Sequence, residues 1–410
     1  MTGIFGTSSI KRLLISLGLT VFLWSGSMVA GLAAPNQLTS EEIREGWILL
    51  FDGESMFGWQ AESKVDWRIE EGAIVASSGE MGLLRTLATF GDFVLRLEYR
   101  ADVKTNSGIF LRTAPTCTDP GPAGQCYEFN IAPPDNPFPS GSLVRLLKTE
   151  AAVQEGDWHD VEIRVEGGQI AGRIDGADVL SFTDPVPLGR GHIGLQLNQG
   201  KVEFRSIKLK PLGLEPIFNG RNLDGWTVYP GNPSVYSVTD QGEMRVINGR
   251  GQIETEKQFG DFVLQLGVKV NGDALNSGIF FRSIKGEFWM GYESQIQNGF
   301  KNGDRSDPVD FGTGAIYRRQ PARVIVSNDH EWFYKTIVAA GPTLCVWVNG
   351  YPVTAWTDTR EPDPNPRKGL RTAPGTIIIQ GHDPTTDLLF RDLEAIELRG
   401  RARSSAEPLD

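Results

Sequence analysis

The chain has 410 residues, 40% of them hydrophobic with 21 Phe and 10 Trp, enough to build two cores of ordinary domain size. A formal charge of −11 with no basic stripe excludes a nucleic-acid binder. The 48 Gly and 24 Pro suit short strands joined by turns better than long helices, and three cysteines cannot staple a fold of this length.

Lys11-Arg12, an apolar run from Leu13 to Ala30 and the small residues of VAGLAAP (29–35) follow the order of a secretory signal peptide, read here as residues 1–34; the alternative is a membrane anchor. No other segment is apolar enough to span a membrane, so the mature chain is expected to be periplasmic or secreted. TSEEIREG (39–46) predicts a capped helical turn or two. LFDGESMFGW (50–59) follows, and then FGDFVL (90–95), which opens the alternating strand DFVLRLEYR. NSGIFLR (106–112) comes next, and then CTDPGPAGQC, where export favours a disulfide between Cys117 and Cys126 that would pin one loop. DVEIRVEGGQIAGRIDG reads as strand, Gly-Gly hairpin, strand, and VEFRSIKLK (202–210) as one more alternating strand.

The same series then starts again. IFNGRNLDGW (217–226), FGDFVL (259–264), NSGIFFR (276–282), YESQI (292–296), Gly314-Ala315 and LLFRDLEAIEL (388–398) repeat the first series in order. The chain is therefore read as a tandem duplication, with domains at 45–212 and 213–400 and a tail at 401–410. The period of two in each copy predicts an all-β domain of a dozen or so short antiparallel strands in two packed sheets. Cys345, between apolar neighbours in TLCVWVNG, reads as a core thiol. Trp59 and Trp226, each beside a Gly turn, read as core plugs, with sugar stacking as the alternative.

The motifs LFDG…GW, NSGIFFR, GYESQI, TGAIY and the closing Q…H…FRDL resemble the 3-keto-disaccharide hydrolase domain family, and both copies carry the resemblance. It implies two tandem concanavalin-like jelly rolls acting on glycosides already oxidised at C3, with carbohydrate as the partner.

At period two, Asn276, Gly278, Phe280 and Arg282 share one strand face, Glu293, Gln295 and Gln297 another, and Gln380 and His382 a third. If these faces line one sheet, Asn276, Arg282, Glu293, Gln295, Gln380 and His382 converge on one surface, joined by Tyr317 of TGAIY. Amides, an Arg and a carboxylate suit hydroxyl-rich ligands, and Gly278 would let a ligand approach the backbone. The alternatives are a merely solvated sheet face or a contact between the domains. The first copy has Asn106, Arg112, Glu128 and Gln196 at matching places, but Asn198 where the family pattern has His. Without that His, a group that ordinarily titrates near neutrality, the first domain is expected to bind sugar or serve structure, leaving the second as the catalyst.

A 3-keto group acidifies the C2 proton, so one base can start an elimination that expels the C1 substituent. The expected roles are Glu293 as base, His382 as acid and Arg282 with Asn276 as enolate donors, with Glu293 and His382 interchangeable at this stage. Asp383 should point away from His382, and the acids of DRSDPVD (304–310), compatible with calcium, lack the spacing of an EF-hand, so no cofactor is expected. A lectin-like protein or a cell-surface module on the same fold are the competing readings.

Overall fold

The chain is described by a computed structural model over residues 1–3 and 34–400, apart from 116, 118, 119, 122, 123, 150–152, 154 and 155. The expected signal segment lies almost entirely outside the described residues, and the 401–410 tail wholly so. No helix among the described residues is long and apolar enough to cross a membrane.

The period-two segments are strands, and every strand pairing is antiparallel. Residues 48–211 build a five-stranded and an eight-stranded sheet, and residues 215–397 build the same pair with the same strand order. In the second copy the five-stranded sheet runs Trp226–Val228, Gly251–Thr255, Thr376–Gly381, Ser277–Ser283, Tyr292–Ile296. The chain is thus all-β, with two tandem jelly-roll sandwiches. Each five-stranded sheet turns one face onto its larger partner, where Ile279, Phe281, Tyr292, Ile296 and Ile379 meet Leu264, Leu266, Ile337 and Val346.

The one α-helix among the described residues, Ser40–Arg44, is capped by Thr39, whose side chain accepts from Glu42 N while the Glu42 carboxylate accepts from Thr39 N. Trp59 and Trp226 are core plugs whose indole N–H groups donate to Leu50 O and Ile217 O, at 2.6 and 2.8 Å. Cys117 and Cys126 form a disulfide.

The runs TIVAA and TLCVWV are apolar on both faces because both faces are covered. Val263, Val338, Ala340, Cys345 and Trp347 on the outer face of the second large sheet join the first domain's core. Trp347 Nε1 donates to Leu49 O at 2.7 Å, Leu49 N to Gly350 O at 2.8 Å, and Arg323 pairs with the buried Asp52 at 2.6 Å. Cys345 is consequently a thiol of the inter-domain core, and burial pushes it up to about 12.

NSGIFFR departs from strict alternation at its last residue, and this corrects two expected site residues. Arg282 adopts a left-handed backbone (φ 47°) at a register shift between Phe280 and Ser283, so its side chain leaves the polar face. It is fully buried and donates to Gly260 O, Gly341 O and Arg371 O at 2.9, 2.6 and 3.2 Å, and to Asp261 at 2.6 Å. Arg112 (φ 48°) does the same in the first copy, reaching Gly91 O, Gly167 O, Leu188 O and Asp92. The two verbatim repeats, FGDF and NSGIF with its Arg, are therefore two halves of one clasp. Neither arginine can serve as an enolate or substrate donor.

Removing the guanidinium takes a donor from three part-buried carbonyls and one of the two cationic partners from Asp261, which keeps Arg190 and Gly341 N. Arg282→Met is expected to lower stability by about 3 kcal/mol in urea unfolding. Unchanged stability together with lost sugar binding would instead return Arg282 to the site.

Candidate active site

The outer face of the second five-stranded sheet carries the polar residues. Ser277, Ile279 and Phe281 turn inward, which leaves Gly278 and Phe280 outward; on the neighbouring strand Glu293 and Gln295 face out beside them. Glu293 and Gln295 form the floor of a cleft of about 360 Å³ that also takes in Asn276, Tyr317, Gln380 and His382. Six residues that the sequence did not point to complete the walls: Arg250, Phe288, Trp289, Met290, Arg318 and Arg367.

Glu293 is 6% exposed. A Cβ on Gly278 would lie 2.6 Å from Glu293 Oε1, so this glycine makes room for the carboxyl group rather than, as expected above, for a ligand. Desolvation pushes Glu293 up to about 7, opposed by Arg367, whose Nη2 is 3.6 Å from Oε2, and reinforced by Asp310. Asp310, not placed by the sequence, accepts from Asn276 Nδ2 at 2.8 Å and Gln295 Nε2 at 3.0 Å. Gln295 Oε1 and Gln380 Oε1 are buried acceptors with no partner among the described residues.

His382 sits one residue past the strand Thr376–Gly381, where alternation has ended. Asp383 accordingly turns toward it, contrary to expectation, with Oδ2 2.9 Å from Nδ1. Burial raises the Asp383 carboxyl, but hydrogen bonds from His382 and Thr385 outweigh it and hold the group below its usual range. An ionised carboxylate only accepts, so Nδ1 carries the proton of this bond and Nε2 is left for a ligand. The imidazole stacks on Trp289 at 6.0 Å and 3°. Trp289 is held in turn by Gln252, whose Oε1 accepts from its backbone N at 2.7 Å, by Gly251 O and by Arg367 Nε, while Glu254 accepts from Gly286 N in the same loop. Phe288 stacks on Trp289 at 4.6 Å, and the Arg250 guanidinium lies 4.5 Å from the indole centroid. The signal for this wall was present as EFWM, a hydrophobic cluster in a turn between two strands.

The acids of 304–310 serve separate partners: Asp304 accepts from Ser306, Asp307 pairs with Lys301, and Asp310 takes the two amides. Among the described residues no three His, Cys, Asp or Glu side chains are grouped as metal ligands.

The profile of the 3-keto-alpha-glucoside-1,2-lyase-like domain family matches residues 46–210 and again 213–395. The chain belongs to this family. No curated relative matches it. Two candidate glycosyl hydrolases of Parabacteroides distasonis, 22% and 26% identical, are matched over their whole length by 44% and 46% of this chain, with TM-scores of 0.39 and 0.38. A carbohydrate-binding module, CBM66 of Bacillus subtilis, is 14% identical over 37% of this chain and 94% of its own, with a TM-score of 0.29.

The two 3-keto-alpha-glucoside-1,2-lyase-like domains share the carboxyl group but not its surroundings. Glu128 lies against Gly108 as Glu293 lies against Gly278, and burial pushes it, too, up to about 7. Gln196 pairs with Gly108 in the middle of the same sheet, Asn106 opens the adjoining strand, and Arg145 follows Val144 where Arg318 follows Tyr317. Asn198 is exposed, the cystine loop replaces the EFWM turn, and Asn130 donates to Phe138 O.

A carboxyl whose folded pKa lies above its unfolded 4.5 binds a proton in the folded state that the unfolded chain has released. Its stabilising contribution is complete below 4.5 and is lost as pH rises through about 7. Relative to the wild type, Glu293→Gln and Glu128→Gln should each gain roughly 3 kcal/mol between pH 4.5 and 8, read by urea unfolding across that range. Parallel stability curves would mean that these carboxyls ionise normally.

Proposed function

We propose that this exported protein cleaves 3-keto-glycosides at its second domain by elimination and rehydration, with Glu293 as base and His382 as acid. The observation that carries this reading is a desolvated carboxyl, poised at about 7, opening into the same cleft as an imidazole fixed by its own carboxylate. Membership of a lyase-like family supports the choice of an oxidised glycoside over an ordinary one. A conventional glycosidase would need two flanking carboxyl groups, whereas Asp310 is occupied by two amides.

In the first half-reaction Glu293 removes the C2 proton, the electron pair moves into the C2–C3 bond, and the C3 oxygen becomes an enolate. With Arg282 excluded, Arg367 and Arg318 are the donors in the cleft for that oxygen. Collapse of the enolate breaks the C1–O bond as His382 protonates the departing oxygen, leaving a C1–C2 double bond conjugated to the ketone. Water then adds at C1 with His382 taking its proton, and Glu293 returns a proton to C2. Both residues are restored, and the products are a 3-keto sugar and the free alcohol. The partnerless Gln295 and Gln380 oxygens supply acceptors for sugar hydroxyls, and the Phe288–Trp289 wall supplies a face for a ring.

The first domain, with Asn198 in place of the histidine, is proposed as a binding or structural partner. Glu293→Gln and His382→Asn should each reduce cleavage of a 3-keto-disaccharide by at least about 100-fold, while Glu128→Gln leaves it within about twofold. Full activity in Glu293→Gln would eliminate the mechanism. Binding of plain and 3-keto sugars without turnover by the wild type would favour the lectin-like reading.

A further inference from the structure

The strand Trp332–Ala340 of the second large sheet turns Phe333, Ile337 and Ala339 into the core, and Lys335 lies in the same register among them. Lys335 is 0% exposed, and its neighbours across the ladder are Leu266 and Val348. In the first domain the residue paired with the equivalent Leu97 is Val161, so the apolar residue expected at this position is present in one copy and replaced by a charge in the other. The Lys335 ammonium crosses the core to the opposite sheet and donates to Ser294 O at 3.1 Å and Gln295 O at 2.9 Å. These two carbonyls lie on the strand whose outer face carries Glu293 and Gln295. No carboxylate among the described residues comes within 4 Å of it, so Lys335 is not half of a buried ion pair.

A core lysine without a counter-ion is costly, and an apolar residue of similar volume would ordinarily suit such a place as well or better. Its persistence in one copy only, beneath the strand that bears the candidate base, calls for another role. We propose that Lys335 is a positioning residue of the second-domain site: it fixes the backbone under Glu293 and Gln295 from behind and holds a positive charge on the core side of the Glu293 carboxyl group. This rests on the reading of Glu293 as the base.

The groups acting on Glu293 are then Arg367 and Arg318 in the cleft, Asp310 opposing them, and Lys335 from below. Burial draws Lys335 itself down and the Glu293 charge opposes it, leaving it at about 7. Each group therefore favours the ionised form of the other, and the coupling is reciprocal. In the first domain, among the described residues, the charge that opposes the burial of Glu128 is that of Arg145.

The test reads ionisation directly, so it does not depend on turnover. In protein carrying 13C at the glutamate carboxyls, with the Glu293 resonance assigned through Glu293→Gln, Lys335→Met should raise the Glu293 midpoint by about one pH unit. At pH 6 that makes the carboxylate about tenfold scarcer, while urea stability is equal or higher. If Lys335→Met does not fold, the reciprocal measurement decides: in Glu293→Gln the Lys335 Nζ titration, followed by NMR, should move to lower pH. An unmoved Glu293 midpoint in Lys335→Met, or an unmoved Lys335 midpoint in Glu293→Gln, overturns the proposal. If the predicted shifts appear but 3-keto-glycosides are not cleaved, the positioning of Glu293 stands and the reaction assigned to it fails.

Discussion

The buried guanidinium of Arg282, held by three backbone carbonyls and Asp261, joins the two sheets of the second sandwich at one end. To reach them the chain takes a left-handed turn at residue 282 that ends the regular strand and re-aims the side chain. Upstream of that turn the strand is free to present Gly278 on its outer face, and the missing Cβ lets the Glu293 carboxyl lie flat against the sheet, out of water. A clasp whose arginine lies outside the cleft lining thus ends the strand against which the candidate base rests. Tyr292, next to that base in sequence, points inward and extends the same structural network: its hydroxyl donates to Asp358 and accepts from Arg371 N.

Duplication preserved this framework and diversified what surrounds it. Both copies have the clasp, the glycine and the desolvated glutamate, and Tyr127 bonds Asp184 as Tyr292 bonds Asp358. The second copy adds a histidine with its carboxylate partner, an aromatic wall, Arg367 from a longer loop and a lysine under the strand. In the proposed reaction these additions would supply an acid, oxyanion donors and a charged backing, which an elimination at a 3-keto sugar needs and sugar binding alone does not. The two sandwiches also share a core through Val338, Cys345 and Trp347, so the first domain supports the second whatever else it binds.

Most of the fold could be read in advance because alternation and repetition are local signals. LFDG…GW, FGDFVL and NSGIF marked the duplication, and period two placed Gly278, Glu293 and Gln295 on one face. The errors fell where that period stops. Arg282 and Arg112 lie at a bulge, and Asp383 lies beyond a strand end, so alternation assigned all three to the wrong side. Arg250, Arg318, Arg367 and Trp289 come from loops, whose course no periodicity encodes. Lys335 was legible in principle as a charge at an inward-facing position opposite Val161 of the other copy, but only once the two sheets were known to face each other.

In the proposed reaction the C2–H bond of a 3-keto-glycoside is broken and remade at Glu293. Cleavage in deuterium oxide tests it most directly, with the position of deuterium in the newly formed 3-keto sugar read by NMR against the same sugar incubated without protein. One deuterium is expected at C2 in each product molecule from the first turnovers. Product that keeps its original C2 hydrogen, with a C2-deuterated substrate cleaved no more slowly than the unlabelled one, would contradict it and leave direct displacement, since retention alone is also the result of Glu293 handing back the same proton.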